Sequence, residues 1–165
     1  MRAMLYLAKK YIDLSFSKLM EVYEEGNREN GAELWPDATA NEQLLRAEQE
    51  FGDYLRRDFF GVRGAYYALW VENGEYMSAL RLEPYQDGML LEALETRPDC
   101  RQKGYATRLL QAVLELERRK IYSHVSRKNK ASLHTHEKCG FQKILDHAVY
   151  IDGSVSANAV TLCKE

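Results

Sequence analysis

The sequence lacks the features that mark several classes of protein. Its 165 residues include only three cysteines, an odd number without framework spacing, so we expect reduced thiols in a cytoplasmic protein. The formal net charge is −2 and no basic arm or basic-aromatic stripe is present, which argues against a nucleic-acid partner. Lys9, Lys10 and Asp13 interrupt the apolar residues of the segment 1–16. We therefore expect neither a signal peptide nor a membrane span there, and no membrane partner.

What is present suits one globular domain spanning residues 1–165. The chain is 45% hydrophobic, which is enough for a sizeable core. It contains no internal repeat and no low-complexity tract.

The segment 90–116 predicts a strand, a polar turn and then a helix. Leu90–Thr96 is rich in apolar residues, and Pro98 ends it because proline has no N–H for a strand ladder. After the turn 101–106, the apolar residues recur at helical spacing. They are Ala106, Leu109, Leu110, Val113 and Leu114.

Such a turn is typical of a phosphate-binding site. The first N–H groups of a helix have no internal partner, and the helix dipole adds partial positive charge there. Gly104 carries no Cβ, so a ligand can approach the backbone closely. The alternative is a plain strand-to-helix turn with a solvated basic edge. Neither G-x-x-x-x-G-K-[ST] nor G-x-G-x-x-G is present.

Two motifs of the chain resemble those of the GNAT superfamily of N-acetyltransferases. Residues 101–106, RQKGYA, fit the acyl-CoA loop pattern R/Q-x-x-G-x-G/A between a strand and a long helix. Residues 129–132, NKAS, and 136–141, HEKCGF, fit the downstream pattern N-x-x-(A/S)…Y-x-K-x-G-F. The resemblance is specific from about Leu90 to Phe141, and outside this range it is only topological.

The predicted element order, β-α-α-β-β-β-α-β-α-β-β, matches this family. Upstream, the chain reads as a strand (3–12), a helix (15–25), a loop (26–38), a helix (39–57) and a strand (64–71). Thr39 with Glu42 fits a capping box, and Asn73-Gly74 fits a hairpin turn. Later strands are expected at 76–82, 90–96, 121–125, 141–151 and 155–162, with a turn at 83–88 and a helix at 130–139. The fold class is α/β (α+β): a mixed, mostly antiparallel sheet with a splayed central parallel pair and flanking helices.

The resemblance implies acetyl-CoA as cosubstrate, held at three places. The diphosphate is expected on the loop and on the start of its helix, formed by Arg101, Gln102, Lys103, Gly104, Tyr105, Ala106 and Thr107, with Arg108 as a helper. The pantetheine arm is expected along the strand edge formed by Leu94, Glu95 and Thr96. Asn129 matches an asparagine that contacts the arm in the family. It would equally suit a helix N-cap.

His136 stands where the family usually has a tyrosine that acts as general acid toward the departing sulfur. We predict the same role for His136, although histidine has an unperturbed pKa of about 6.5 against about 10 for tyrosine. The alternative is a side chain that only packs against the CoA arm.

A general base is expected on the strand beside the thioester. The family often uses a glutamate there, and Glu92 and Glu95 are the candidates, with Glu92 preferred. Alternatively, both are solvated or salt-bridged carboxylates and water carries the proton.

No metal site is expected. His134, His136 and Cys139 lie close together and His124 lies upstream, but His134 points away from the shared helix face and a fourth ligand is missing.

We therefore predict an acetyl-CoA-dependent N-acetyltransferase that acts on a primary amine, expected to belong to a small molecule. Acidic and aromatic residues in or beside the segment 26–38 favour a cationic acceptor, unless they form only a solvated surface. They are Glu24, Glu25, Glu29, Glu33, Trp35 and Asp37. The alternatives are a non-catalytic acyl-CoA-binding regulatory module and acetylation of a protein or peptide amine. A homodimer is left open.

Overall fold

The computed structural model describes residues 2–165, so only Met1 of the segment 1–16 lies outside the described residues. The strands are β1 Ala3–Ala8, β2 Tyr66–Glu72, β3 Glu75–Tyr85, β4 Gly88–Thr96, β5 Ile121–Ser126, β6 Gln142–Leu145, β7 Ala148–Val149, β8 Val155–Ser156 and β9 Ala159–Lys164. The α-helices are α1 Phe16–Val22, α2 Glu24–Leu34, α3 Ala40–Arg57, α4 Tyr105–Leu116 and α5 Lys130–Lys138. Short 3₁₀ turns lie at Tyr11–Asp13, Phe59–Gly61 and Pro98–Cys100.

Seven strands form one sheet in the order β1-β2-β3-β4-β5-β9-β6. Strands β4 and β5 are parallel, whereas the other neighbours in this sheet are antiparallel. Helix α4 makes the crossover between β4 and β5, as the pattern at 90–125 predicts. The predicted fold class is confirmed. The expected closing hairpin is more complex, because β9 inserts between β5 and β6 while β7 pairs with β8 apart from the main sheet.

A hydrophobic core lies on each side of the sheet. Helices α1 and α3 cover one side, called here the α3 face, where Leu19, Leu55 and Leu69 are fully buried. Helix α4 covers the other side, called here the α4 face, where Leu80 and Leu109 are fully buried. Alternate residues of each strand point to opposite faces, so this assignment fixes which strand side chains can share a site.

The expected loop at 26–38 is wrong, because most of this segment forms helix α2. Its glycines suggested a loop, but Gly31 is buried where α2 crosses α3. A Cβ built at Gly31 would lie 2.7 Å from the Gln43 carbonyl carbon, so the glycine allows the two helices to approach. Asn27 is also buried, and its amide lies 3.4 Å from the Met20 sulfur.

Two predicted strand boundaries also need correction. The first strand ends at Ala8, and the chain turns at Tyr11–Asp13 instead of continuing to Ile12. The turn expected at 83–88 is shorter, since β3 continues to Tyr85. Pro84 fits into β3 because the pairing with β2 ends at Leu82, so its missing N–H faces no strand partner.

The Thr39 cap and the hairpin turn are confirmed, but the return bond from the Glu42 side chain that would complete a capping box is absent within residues 2–165. The Thr39 hydroxyl accepts a hydrogen bond from the Glu42 N–H at 3.2 Å and begins α3. Asn73 and Gly74 have φ values of 51° and 78°, as a two-residue hairpin turn of type I′ requires.

The edges of the sheet are β1 and β6. All four residues of β6 are exposed, including Ile144 and Leu145. Within residues 2–165, no helix combines the length and the apolar character needed to cross a membrane.

The contact at Gly31 yields a stability prediction. Gly31→Ala should lower the free energy of unfolding by about 1–3 kcal/mol, because the added methyl group meets the α3 backbone. In the same helix, Gly26 has nothing within 4 Å of a built Cβ. Gly26→Ala should therefore raise the free energy of unfolding by about 0.5–1 kcal/mol. Urea denaturation measures both, and equal shifts in the two variants would contradict the packing argument.

Candidate functional site

The turn between β4 and α4 has the backbone of an anion site. Gln102 and Gly104 have positive φ values of 64° and 82°, and no side chain caps the N-terminus of α4. No atom lies within 4 Å of a Cβ built at Gly104, so the space in front of it is open.

The backbone N–H groups from Gln102 to Thr107 have no acceptor within residues 2–165. They include the first three N–H groups of α4, where the helix dipole places partial positive charge. A diphosphate could accept several of them at once. The predicted loop therefore has the donor set that the diphosphate of CoA needs, although its role stays a prediction.

A gap opens between β4 and β5 beside this turn. The parallel pairing covers only the residues from Met89 to Leu91, which lie opposite Ile121 to Ser123. From Glu92 to Thr96 the β5-facing edge of β4 has no strand partner. The expected pantetheine contacts at Leu94, Glu95 and Thr96 thus lie on an edge that is free to pair with an extended chain.

A bulge in β4 accompanies this gap. Ala79 pairs with Glu95 and Arg81 pairs with Glu92, so β4 has one residue more than β3 over this stretch. Ala93 has a φ of 56°, and its carbonyl accepts a hydrogen bond from the Tyr23 hydroxyl at 2.7 Å.

The basic side chains near the loop are partly engaged by carboxylates. Arg101 contacts Glu25 at 2.9 Å and Glu95 at 3.3 Å. Arg108 lies 3.8 Å from Glu72. Lys103 is exposed and forms no ion pair within the described chain. Phosphate contacts by Arg101 and Arg108 would therefore compete with these carboxylates.

Tyr105 and Asn129 have structural partners. The Tyr105 hydroxyl lies 3.0 Å from a Glu72 carboxylate oxygen, on β2 and away from the gap. The Asn129 side-chain oxygen accepts from the Ser132 N–H at 3.0 Å and caps α5. This is the alternative that the sequence left open, and contact with the CoA arm stays a prediction.

His136 is enclosed, with only 1% of its surface exposed. Its Nδ1 lies 2.7 Å from the Ser132 carbonyl oxygen, which assigns the proton to Nδ1. Its Nε2 lies 2.9 Å from the Ser123 hydroxyl, which then donates to it. Burial lowers the pKa of His136, although the Ser132 carbonyl raises it. The neutral ring has no proton free for the gap, so this geometry favours a structural role over the predicted general acid.

Glu92 and Glu95 lie on β4 on either side of the bulge. Burial raises the pKa of Glu92 to about 8, with a smaller contribution from the neighbouring Glu83 carboxyl that can share a proton with it. Burial also raises the pKa of Glu95, while Arg101 opposes the shift. Glu92 therefore binds its proton more tightly than an ordinary glutamate, whereas Glu95 is half-buried in an ion pair.

Three buried side-chain atoms of the described chain have no hydrogen-bond partner. They are Arg81 Nε, Glu92 Oε1 and His124 Nε2. All three residues lie on the α3 face next to the gap. The His124 ring packs edge-on between Tyr85 and Tyr150, and burial lowers its pKa. Unpartnered polar atoms in one region are typical of a binding site.

A cleft of about 220 Å³ opens on this face between α2 and α3. It is lined by Asn27, Asn30, Leu34, Ala47, Glu50, Phe51, Tyr54 and Arg81.

The acidic side chains that suggested a cationic acceptor do not line this cleft. Glu24 pairs with Arg28, and Glu25 pairs with Arg101. No sequence pattern pointed to Arg81, a charged residue between two leucines of β3. The sequence patterns brought out His124 only as a possible metal ligand, which was rejected.

The described residues contain no group of three or more potential metal ligands.

Comparisons with known proteins agree with this geometry. The acetyltransferase (GNAT) family matches residues 18–141. A comparison with curated protein sequences finds no significant match. Among solved structures, the PaiA N-acetyltransferase of Thermoplasma acidophilum in complex with coenzyme A has a TM-score of 0.65 at 13% identity. The alignment covers 98% of this chain and 99% of that one.

Two further structures share the fold. Aminoglycoside acetyltransferase AAC(6')-Ib in complex with coenzyme A and kanamycin has a TM-score of 0.62 at 20% identity, over 99% of this chain and 94% of that one. An N-acetyltransferase from Staphylococcus aureus Mu50 has a TM-score of 0.59 at 15% identity, over 100% of this chain and 99% of that one. With the family match over most of its length, the chain belongs to the GNAT acetyltransferase family.

Proposed function

We propose that the protein transfers an acetyl group from acetyl-CoA to a primary amine of a small molecule. The observation that carries this proposal is the row of unpartnered N–H groups from Gln102 to Thr107 beside the gap between β4 and β5. Two of the neighbours with this fold were solved with coenzyme A, which supports an acyl-CoA donor.

Each part of the site has a separate task. The loop holds the diphosphate, and the free edge of β4 orients the arm so that the acyl group lies in the gap. The cleft on the α3 face brings the amine to the same gap from α2 and α3. When bound, acetyl-CoA supplies the activated acyl group.

Glu92 is the proton acceptor in this proposal. An ammonium group has no lone pair, so the acceptor must lose a proton before it can react. A carboxyl with a pKa of about 8 is matched to that proton near neutral pH.

The loop is tested by two matched glycine variants. Gly104 and Gly153 have φ values of 82° and 86°, and nothing lies within 4 Å of a Cβ built at either. A glutamate strains both backbones equally, but only Gly104→Glu puts an anion where the diphosphate should bind. Calorimetry should show acetyl-CoA binding weakened about 100-fold in Gly104→Glu and unchanged in Gly153→Glu. No binding to the wild-type protein would refute the proposal, and binding without thiol release across an amine panel would favour a non-catalytic module.

Glu92 is tested by the pH dependence of kcat/KM. Because only the ionised carboxyl accepts a proton, the rate should rise with pH and reach half its plateau near the Glu92 pKa of about 8. Glu92→Gln should lower kcat/KM by about 100-fold or more and remove this inflection. If Glu95→Gln removes it instead, Glu95 is the base.

The raised pKa of Glu92 also predicts that the stability of the fold decreases as the pH rises, whereas the reaction rate increases. Glu92 holds its proton in the folded protein to about pH 8 but loses it near 4.5 in the unfolded chain, so rising pH favours unfolding over this range. Glu92→Gln should therefore raise the thermal midpoint more at about pH 9 than at about pH 5.

His136 is tested against His134, which is exposed on the same helix. His136→Ala should lower the free energy of unfolding by about 2–4 kcal/mol, because it empties a buried site. His134→Ala should change it by no more than about 0.5 kcal/mol. Denaturation and thiol-release assays on both variants decide the role. An inactive His136→Ala with unchanged stability would restore the general-acid prediction.

A further inference from the structure

Arg81 forms the floor of the cleft between α2 and α3. It lies on β3 on the α3 face, and its guanidinium packs against the rings of Phe51, Tyr54 and Phe59 at 5.9, 5.0 and 5.8 Å. Nη1 donates to the Tyr67 hydroxyl at 3.3 Å. Neither Nε nor Nη2 has an acceptor within residues 2–165. Nε is enclosed, whereas Nη2 is not.

This guanidinium has no counter-ion in the described chain. Arg81 forms no ion pair with any carboxylate of residues 2–165. A charge that is largely removed from water needs an opposite charge with good hydrogen-bond geometry. Arginine offers parallel N–H groups that match a carboxylate in particular.

The neighbouring ionisable groups do not meet this need, and Glu50, which also lines the cleft, forms no ion pair with Arg81 within residues 2–165. Glu92 is the cross-strand partner of Arg81 and is mostly protonated near neutral pH, because its pKa is raised to about 8. Glu83 is in contact with Glu92 instead of Arg81. Burial raises the pKa of the Tyr67 and Tyr54 hydroxyls, so both stay neutral.

The position of Arg81 fixes where the rest of a ligand would lie. Adjacent strands are about 4.8 Å apart, so a group on Arg81 is a few ångströms from Glu92 and from the start of the gap. An amine and a carboxylate on the same or nearby carbons span this distance. Leu34, Phe51 and Tyr54 provide apolar walls for a side chain.

We propose that Arg81 binds the carboxylate of the acceptor, so that the protein acetylates a small amino-carboxylate in preference to a plain amine. The amine then lies at Glu92, as in the proposed function. The inference rests on the proposed function for the reaction, whereas the binding of the carboxylate does not depend on it.

Binding of matched probes to the CoA-saturated protein tests the inference. One series is L-phenylalanine, L-phenylalaninamide and phenethylamine, and the other is L-leucine, L-leucinamide and isopentylamine. Calorimetry should show each amino acid binding about 30-fold more tightly than its decarboxylated amine, with the amide between them. Arg81→Met should abolish the preference, and Arg28→Met, an exposed arginine of α2, should keep it.

Two controls keep the result interpretable. CoA affinity shows whether Arg81→Met is folded, and Arg81→Lys, which retains the charge without the planar fork, should recover only part of the preference. Equal or tighter binding of the plain amines, or no binding in either series, would overturn the inference.

Thiol release from acetyl-CoA separates this inference from the proposed function. Turnover of plain amines and amino acids with equal kcat/KM would uphold acetyl transfer and overturn the role of Arg81. Tight binding of the amino acids without thiol release would uphold the Arg81 site and count against the transfer.

Discussion

The end of the pairing between β4 and β5 at Leu91 and Ser123 is the constraint on which the site depends. Up to that pair the two strands hold the core together on both faces. Beyond it, the bulge at Ala93 accompanies a β4 edge that no longer meets β5. The free edge and the partly buried carboxyl of Glu92 begin at the next residue of β4, and the unpartnered N–H groups of the turn follow the end of this strand. One local irregularity thus leaves a gap in an otherwise continuous sheet.

A chain of hydrogen bonds connects the cleft with the bulge. Arg81 donates to the Tyr67 hydroxyl, Tyr67 donates to the Tyr23 hydroxyl at 3.0 Å, and Tyr23 donates to the Ala93 carbonyl. Burial raises the pKa of both tyrosines, so the chain keeps its protons across the working pH range. The bulge and the floor of the cleft are therefore held by one network, in which a change at either end alters the hydrogen bonding at the other.

The sequence predicted the parts of the site that follow from local chemistry. The turn at Gly104 could be found because its glycine and the helical spacing after it are local signals, and the parallel pair follows from the strand-helix-strand order. Helix α2 was missed because the role of Gly31 is evident only from its contact with Gln43 of another helix. Arg81 was missed because nothing in β3 reveals the aromatic rings that α3 packs around it. One structural partner of His136 is distant in the same way, since Ser123 lies on another element.

The β6 edge of the sheet bears on how the protein behaves at high concentration. An outer strand with unpaired N–H and carbonyl groups is a template for another chain, and Ile144 and Leu145 are 50% and 39% exposed. Two features oppose ordered association there: the charge of Lys143 and the break in register between Lys143 and Leu145. Colloidal stability therefore depends on a short segment outside the groove, where a neutral residue at 143 would favour strand-to-strand aggregation without altering the fold.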